Sequence, residues 1–230
     1  MDIEILHYST GARHASGLAV VIDVFRAFSV ACYVLDQGAE KIVAVAEIEY
    51  ARQLQREHPD WILIGERGGA KLAGFDFGNS PTELHSTPFV GKTVVHTTHA
   101  GTTNLCAASN AEDVVTGSFL NAGATIHYIR QTELPTLSLI CAGVGDEREA
   151  REDVLCAQYI RDTLSDTPRP FDEIKRELRE AEASRRFFDP SQDHSPESDF
   201  HRCLDLDKFD FVIRRTEFGD GTCVLKKIAV

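Results

Sequence analysis

The sequence predicts an α/β protein with a mainly parallel sheet covered by helices on both faces. Three observations predict it. Residues 18–24, LAVVIDV, form a continuous β-branched apolar run, as expected of a strand buried on both faces. A helical stretch follows at once, FRAFSVACYVLDQG, with Gly38 placed to cap its end. The same strand-then-helix alternation then recurs down the chain.

In order, residues 41–46 (KIVAVA) predict a strand, followed by a helix near 47–57. Residues 61–64 (WILI) predict a third strand that runs into a glycine-rich loop, GERGGAKLAGFDFGNSP. Residues 92–97 (KTVVHT) lead to a helix near 102–109, and residues 113–116 lead to SFLNAGATIHYIRQ. LSLICA at 137–142 precedes a helix near 149–164. The breaker SDTPRP divides the chain into 1–164, an α/β core carrying the site, and 165–230, packed on the same domain. In the second part, FDEIKRELREAEASRRFF reads as one amphipathic helix, with Glu182 and Arg186 paired at i,i+4. A polar loop follows, and two edge strands are expected around Gly219-Asp220-Gly221, a hairpin signal.

The 230 residues carry a formal charge of −12, which argues against nucleic acid as a partner, since its phosphates are neutralised by lysine and arginine. No apolar run reaches the roughly 20 residues that span a bilayer. MDIEILHYSTGARH lacks a secretory pattern, so cytoplasm is the expected compartment. Six cysteines without a CxxC pair are expected to be buried thiols. Oligomeric state is left open.

Ligands of parallel α/β sheets bind beyond the carboxyl ends of the strands. There this chain places Asp23 and Arg26, then Glu66, Arg67, Gly68, Gly69 and Lys71. Thr97, Thr98, His99, Gly101 and Thr102 follow, then Ser118 and Asn121, and last Gly143, Gly145, Asp146 and Glu147. Taken singly, each reads equally well as a helix cap or a surface pair. Together they describe an anion site: glycines for close backbone approach, hydroxyls and helix N-termini as donors, arginines as planar forks. Acids beside an anion need a cation between them, and Mg²⁺ accepts one or two carboxylates plus ligand oxygens. Neither GxxxxGK[ST] nor GxGxxG competes.

VVIDVFRAFS, GERGG, GFDFGNSP, the Thr97–Thr102 segment TTHAGT, GSFLNA and the later CAG…ED segment occur in this order. The pattern resembles the 2-phosphosulfolactate phosphatase family, the ComB-like proteins, over residues 18–160. The resemblance implies a three-layer α/β/α fold and Mg²⁺-dependent hydrolysis of 2-phospho-3-sulfolactate to 3-sulfolactate, a step towards coenzyme M. It implicates Asp23, Arg26, Glu66, Arg67, Gly68, Gly69, Asn79, Ser80, Thr97, Thr98, Gly101, Thr102, Ser118 and Asn121, with Glu152 and Asp153 behind them. Two departures flank the expected ligand: His99-Ala100 where the family has hydroxyl and amide donors, and Phe28 where it has a small hydroxyl residue.

The expected mechanism has Mg²⁺ on Asp23 and Glu66, with Arg26 and Arg67 clamping a small polyanionic phosphorylated substrate. The nucleophile is either water, with a carboxylate or His99 as base, or Asp23 itself. Phe25 stands where DxD phosphatases carry a second acid. Rival readings are a phosphatase for another phosphorylated hydroxy acid and a non-catalytic phosphometabolite binder.

Overall fold

A computed structural model describes residues 1–84, 86–219 and 222–230. The elements run β1 (Asp2–His7), α1 (Tyr8–Ala12), β2 (Leu18–Ile22), α2 (Ala27–Asp36), β3 (Lys41–Val45), α3 (Ile48–Glu57), β4 (Ile62–Arg67), β5 (Ala70–Lys71), α4 (Pro81–Leu84) and β6 (Thr93–Thr97). There follow α5 (Gly101–Ala107), β7 (Asp113–Gly117), α6 (Ala122–Gln131), β8 (Thr136–Cys141), α7 (Arg151–Leu164), α8 (Phe171–Glu180), a 3-10 segment (Glu182–Phe188), α9 (Glu197–Cys203), β9 (Phe211–Gly219) and β10 (Thr222–Ala229).

The strands order as β1-β8-β2-β7-β9-β10-β3-β6-β4-β5, a mostly parallel α/β sheet with helices on both sides. β1, β8, β2 and β7 run parallel to one another, as do β3, β6 and β4. Between these blocks lie three antiparallel steps, β7 to β9, β9 to β10 and β10 to β3. Three reversals make the two parallel blocks run in opposite senses.

One face of both blocks packs on α2 and α5, joining Val21, Ile42, Ile64, Val94, Ile140, Ile213 and Leu225 in one cluster. This explains why every residue of α2 except Asp36 is buried: it is apolar all round because protein surrounds it. The other face is covered separately. Val20, Val115 and Leu139 meet α6 to α9, whereas Val43, Leu63 and Val95 meet α3. All five residues of β2 are buried, each contributing roughly 1.5–3 kcal/mol for the larger side chains.

The structure corrects two local expectations. The C-terminal strands are not at an edge but bridge the two blocks. Their polar residues misled because they belong to an overhang: β9 is buried only at Phe211-Val212-Ile213 and pairs with β7 at Ile213 and Arg214 alone. Of the hairpin signal, Asp220 and Gly221 lie outside the described residues. The expected long helix after residue 170 stops at Glu180, and a 3-10 segment follows, so Glu182 and Arg186 do not share an α-helical face. Glu177 instead takes Arg151 and Arg169. None of the cysteines is in a disulfide, and among the described residues no helix is long and apolar enough to cross a membrane.

Candidate active site

The carboxyl ends of β2, β4, β6 and β8 open on one cleft of about 510 Å³. Asp23, Arg26, Glu66, Gly68, Gly69, Asn79, Thr98 and His99 line it, together with the loop after β8 and the first turn of α7. Asp23 and Glu66, 43 positions apart in sequence, are thus brought to the lining of one cleft.

Each acid is held by backbone. Asp23 Oδ1 accepts the Ala27 N–H at 3.0 Å, which leaves Oδ2 without a donor among the described residues. Glu66 accepts the His99 N–H at 3.0 Å and the Gly69 N–H at 2.7 Å. The second bond needs the tight turn between β4 and β5, where Gly68 and Gly69 take φ of +62° and +87°. Asp153 accepts the Val24 N–H at 2.9 Å and the Gly143 N–H at 3.0 Å, tying the ends of β2 and β8 together. Glu152 is 2% exposed, and its Oε2 has no hydrogen-bond partner among the described residues.

Burial, joined at Asp23 and Asp153 by the charge of neighbouring carboxylates, raises the proton affinity of three of these acids. Burial pushes Asp23 up to about 7, the Ala27 bond opposes this, and the charges of Glu66 and Glu152 add to it. Burial also raises Glu152, and burial followed by Asp23 and Glu152 raises Asp153. Such a wall fits a small hard cation. Among the described residues no group of three or more His, Cys, Asp or Glu side chains has a metal-holding arrangement. Mg²⁺ needs only one or two carboxylates and keeps its waters, whereas a structural zinc site closes with four ligands. Asp23, with its free Oδ2, and Glu66 suit it.

Close packing completes this wall. A Cβ on Gly101 would lie 2.7 Å from Asp23 Oδ2 and 2.8 Å from Ala27 Cβ, so only glycine lets the start of α5 approach the acid. The loop after β8 is pinned by Asp146, which accepts the Ser9 N–H at 2.6 Å and the Asn104 Nδ2–H at 2.9 Å.

The remaining residues picked from sequence divide. His99 is exposed at the rim. Thr98 lines the cleft, and its hydroxyl accepts the Thr102 N–H at 3.2 Å, while Thr102 is buried behind it. Asn79 pairs with His96 at 3.1 Å; burial lowers that imidazole to about 4, so it is neutral at pH 7. Ser80 turns to Asp199 at 2.9 Å and lines a neighbouring cavity of about 410 Å³. Thr97, Ser118 and Asn121 are not in the cleft lining. Thr97 donates to the Ala46 carbonyl, and Asn121 accepts the Ser118 N–H and donates to the Phe211 carbonyl.

The arginines are redistributed most. Arg26 reaches the cleft, but its Nη1 donates to Asp199 and the His194 carbonyl and its Nη2 to the Gly69 carbonyl. Arg67 donates to the Glu66 and Ala46 carbonyls and to Thr97 Oγ1, and lines a separate cavity beside Glu47 and Glu49. The cations that sequence reasoning missed are Arg148, in the loop after β8, and Arg186, in the 3-10 segment. Arg186 was hidden by its assignment to a helix surface. The adjacent Phe187 was the available signal, for an exposed amphipathic helix has no reason to carry Arg-Arg-Phe-Phe. Phe187 is 2% exposed and packs edge-on to Phe25 at 4.9 Å.

A family model for 2-phosphosulpholactate phosphatase matches residues 6–217. Similar proteins include one from Caldicellulosiruptor saccharolyticus, 44% identical over 63% of this chain and 61% of its own length. One from Deinococcus radiodurans is 37% identical over 66% and 63%, and one from Bacillus subtilis is 29% identical over 87% and 88%. Each bears the name "Probable 2-phosphosulfolactate phosphatase". The chain spans about three fifths of the length of the first two and most of the third. With a family match over nearly its whole length, the chain belongs to the 2-phosphosulpholactate phosphatase family.

Proposed function

We propose that this protein is a Mg²⁺-dependent phosphatase that hydrolyses 2-phospho-3-sulfolactate to 3-sulfolactate and phosphate, a reaction of the coenzyme M route. The observation that carries this reading is the convergence of Asp23, Glu66, Glu152 and Asp153 on one cleft with hydrogen-bond capacity left over at Asp23 Oδ2 and Glu152 Oε2. The names of the relatives support the substrate.

Asp23 and Glu66 would hold the metal, which when bound supplies Lewis-acid stabilisation of charge on the phosphoryl oxygens. Glu66 is fixed at both oxygens by backbone N–H groups, so it offers a preorganised ligand rather than a mobile one. Asp153 orients the loops after β2 and β8. Glu152, which lines the same cleft and whose proton affinity burial raises, would be the carboxylate that takes a proton from an attacking water.

The test is phosphate release from 2-phospho-3-sulfolactate and from a panel of 2-phosphorylated hydroxy acids, with Mg²⁺ and with chelator. Metal-dependent turnover highest on the sulfonated acid is expected. Turnover favouring another acid would reassign the substrate. Tight binding of these compounds without any phosphate release would overturn the enzyme reading in favour of a binding protein.

A further inference from the structure

We propose that Arg186, carried into the cleft by the segment Glu182–Phe188, is the guanidinium that grips the substrate's phosphoryl group opposite the Asp23–Glu152 wall; this rests on the phosphatase reading above.

Three observations lead there. First, the cleft needs an anion-binding cation; the two arginines nearest the acids in sequence have other partners, and Arg148, the other cation of the lining, is exposed on the loop after β8. Arg26 is neutralised by Asp199 in an ion pair whose side chains are 2% and 0% exposed, and Arg67 lies in another cavity. Second, Arg186 has donors to spare. Its Nη2 donates to the Phe25 carbonyl at 3.1 Å, while its buried Nε has no hydrogen-bond partner among the described residues. An unpaired N–H on a buried guanidinium is unfavourable, and the side chain lines the cleft, so an acceptor on a ligand completes the site. Third, Arg186 interacts electrostatically with Asp23 and Glu152, yet no carboxylate of the described residues lies within 4.0 Å of its nitrogens. The acids and the guanidinium therefore line one cleft without pairing. A phosphoryl group carries oxygens enough for both a cation held by the acids and the guanidinium, and a planar fork matches two of those oxygens at once.

The segment is also anchored as a binding element should be. Phe187 packs against Phe25, from the cleft loop, and against Phe200 of α9 at 6.1 Å, and the Arg186 guanidinium lies 4.9 Å from the Phe187 ring. Its rotamer is held by packing before ligand arrives.

The experiment compares wild type with Arg186→Gln and Arg186→Lys by steady-state phosphate release and by calorimetric titration with inorganic phosphate in the presence of Mg²⁺. Thermal melts show that each variant is folded. The proposal expects kcat/KM of Arg186→Gln to fall by about 100-fold or more, phosphate binding to weaken at least about tenfold, and Lys to restore only part of either. Added guanidinium ion should recover part of the activity of Arg186→Gln. Values for both variants within about threefold of wild type would overturn it and leave Arg186 as a counter-ion of the acids. Should Gln fail to fold, the Lys variant decides by the same two readouts. Absence of turnover in the wild type would end the phosphatase reading, while the phosphate titration would still judge Arg186.

Discussion

Glu66 and His99 are joined through a carboxylate-to-backbone bond, Oε1 accepting the His99 N–H at 3.0 Å, while Oε2 of the same side chain accepts from Gly69 at 2.7 Å. One acid thereby ties the end of β4 to the end of β6 and to its own turn. Glu66→Gln turns one acceptor into a donor facing a backbone N–H. We expect a loss of about 1–3 kcal/mol in urea unfolding as well as weaker Mg²⁺ dependence. A variant as stable as wild type would show that the bonds are not structural.

Gly101→Ala should be costly beyond its size. Its methyl would sit 2.7 Å from Asp23 Oδ2 and 2.8 Å from Ala27 Cβ, forcing the start of α5 away from the acid. Overpacking of this kind costs about 1–3 kcal/mol, and turnover should drop by more than tenfold. A crystal structure of the variant with Asp23 unmoved and normal kinetics would refute this.

Stability without metal should fall as pH rises from the ordinary carboxylate range to about 7. Asp23 binds its proton up to about 7 in the folded chain, against 3.8 as its ordinary value. Between those values the folded state holds more protons than the unfolded one, so this group's stabilisation is full at low pH, declines across that window and is gone once pH exceeds about 7. Asp23→Asn, which keeps the acceptor for Ala27, should flatten the slope and be more stable than wild type at pH 8. Mg²⁺ should flatten it too, by binding the charged form. Chemical denaturation at pH 5 and pH 8, with chelator, measures both.

Asp199→Ala should destabilise by about 3–5 kcal/mol, because it strands the buried Arg26 charge and also removes the acceptor for Ser80 Oγ and the Thr82 N–H. Equilibrium unfolding reads the loss directly, and a loss below about 1 kcal/mol would mean that Arg26 finds another partner.

What could be read from sequence follows from what is local. LAVVI announces a doubly buried strand by composition alone, and the acids and glycines at strand ends are found by following each apolar run to its last residue. β1 went unread because DIEILH alternates polar and apolar at the sheet's edge and lacks such a run. Asp199 could not be foreseen as the partner of Arg26, since 173 positions separate them and only the tertiary fold joins them. The same holds for Arg186, whose role depends on where Phe187 docks.

The placement of β9 and β10 bears on how the molecule is made. The blocks containing β2 and β3 share no strand pairing until residues 211–229 enter between them. A nascent chain can therefore assemble two separate half-sheets on the ribosome, but the seam closes only after those residues emerge, and until then the ladder edges of β7 and β3 stand open to other chains.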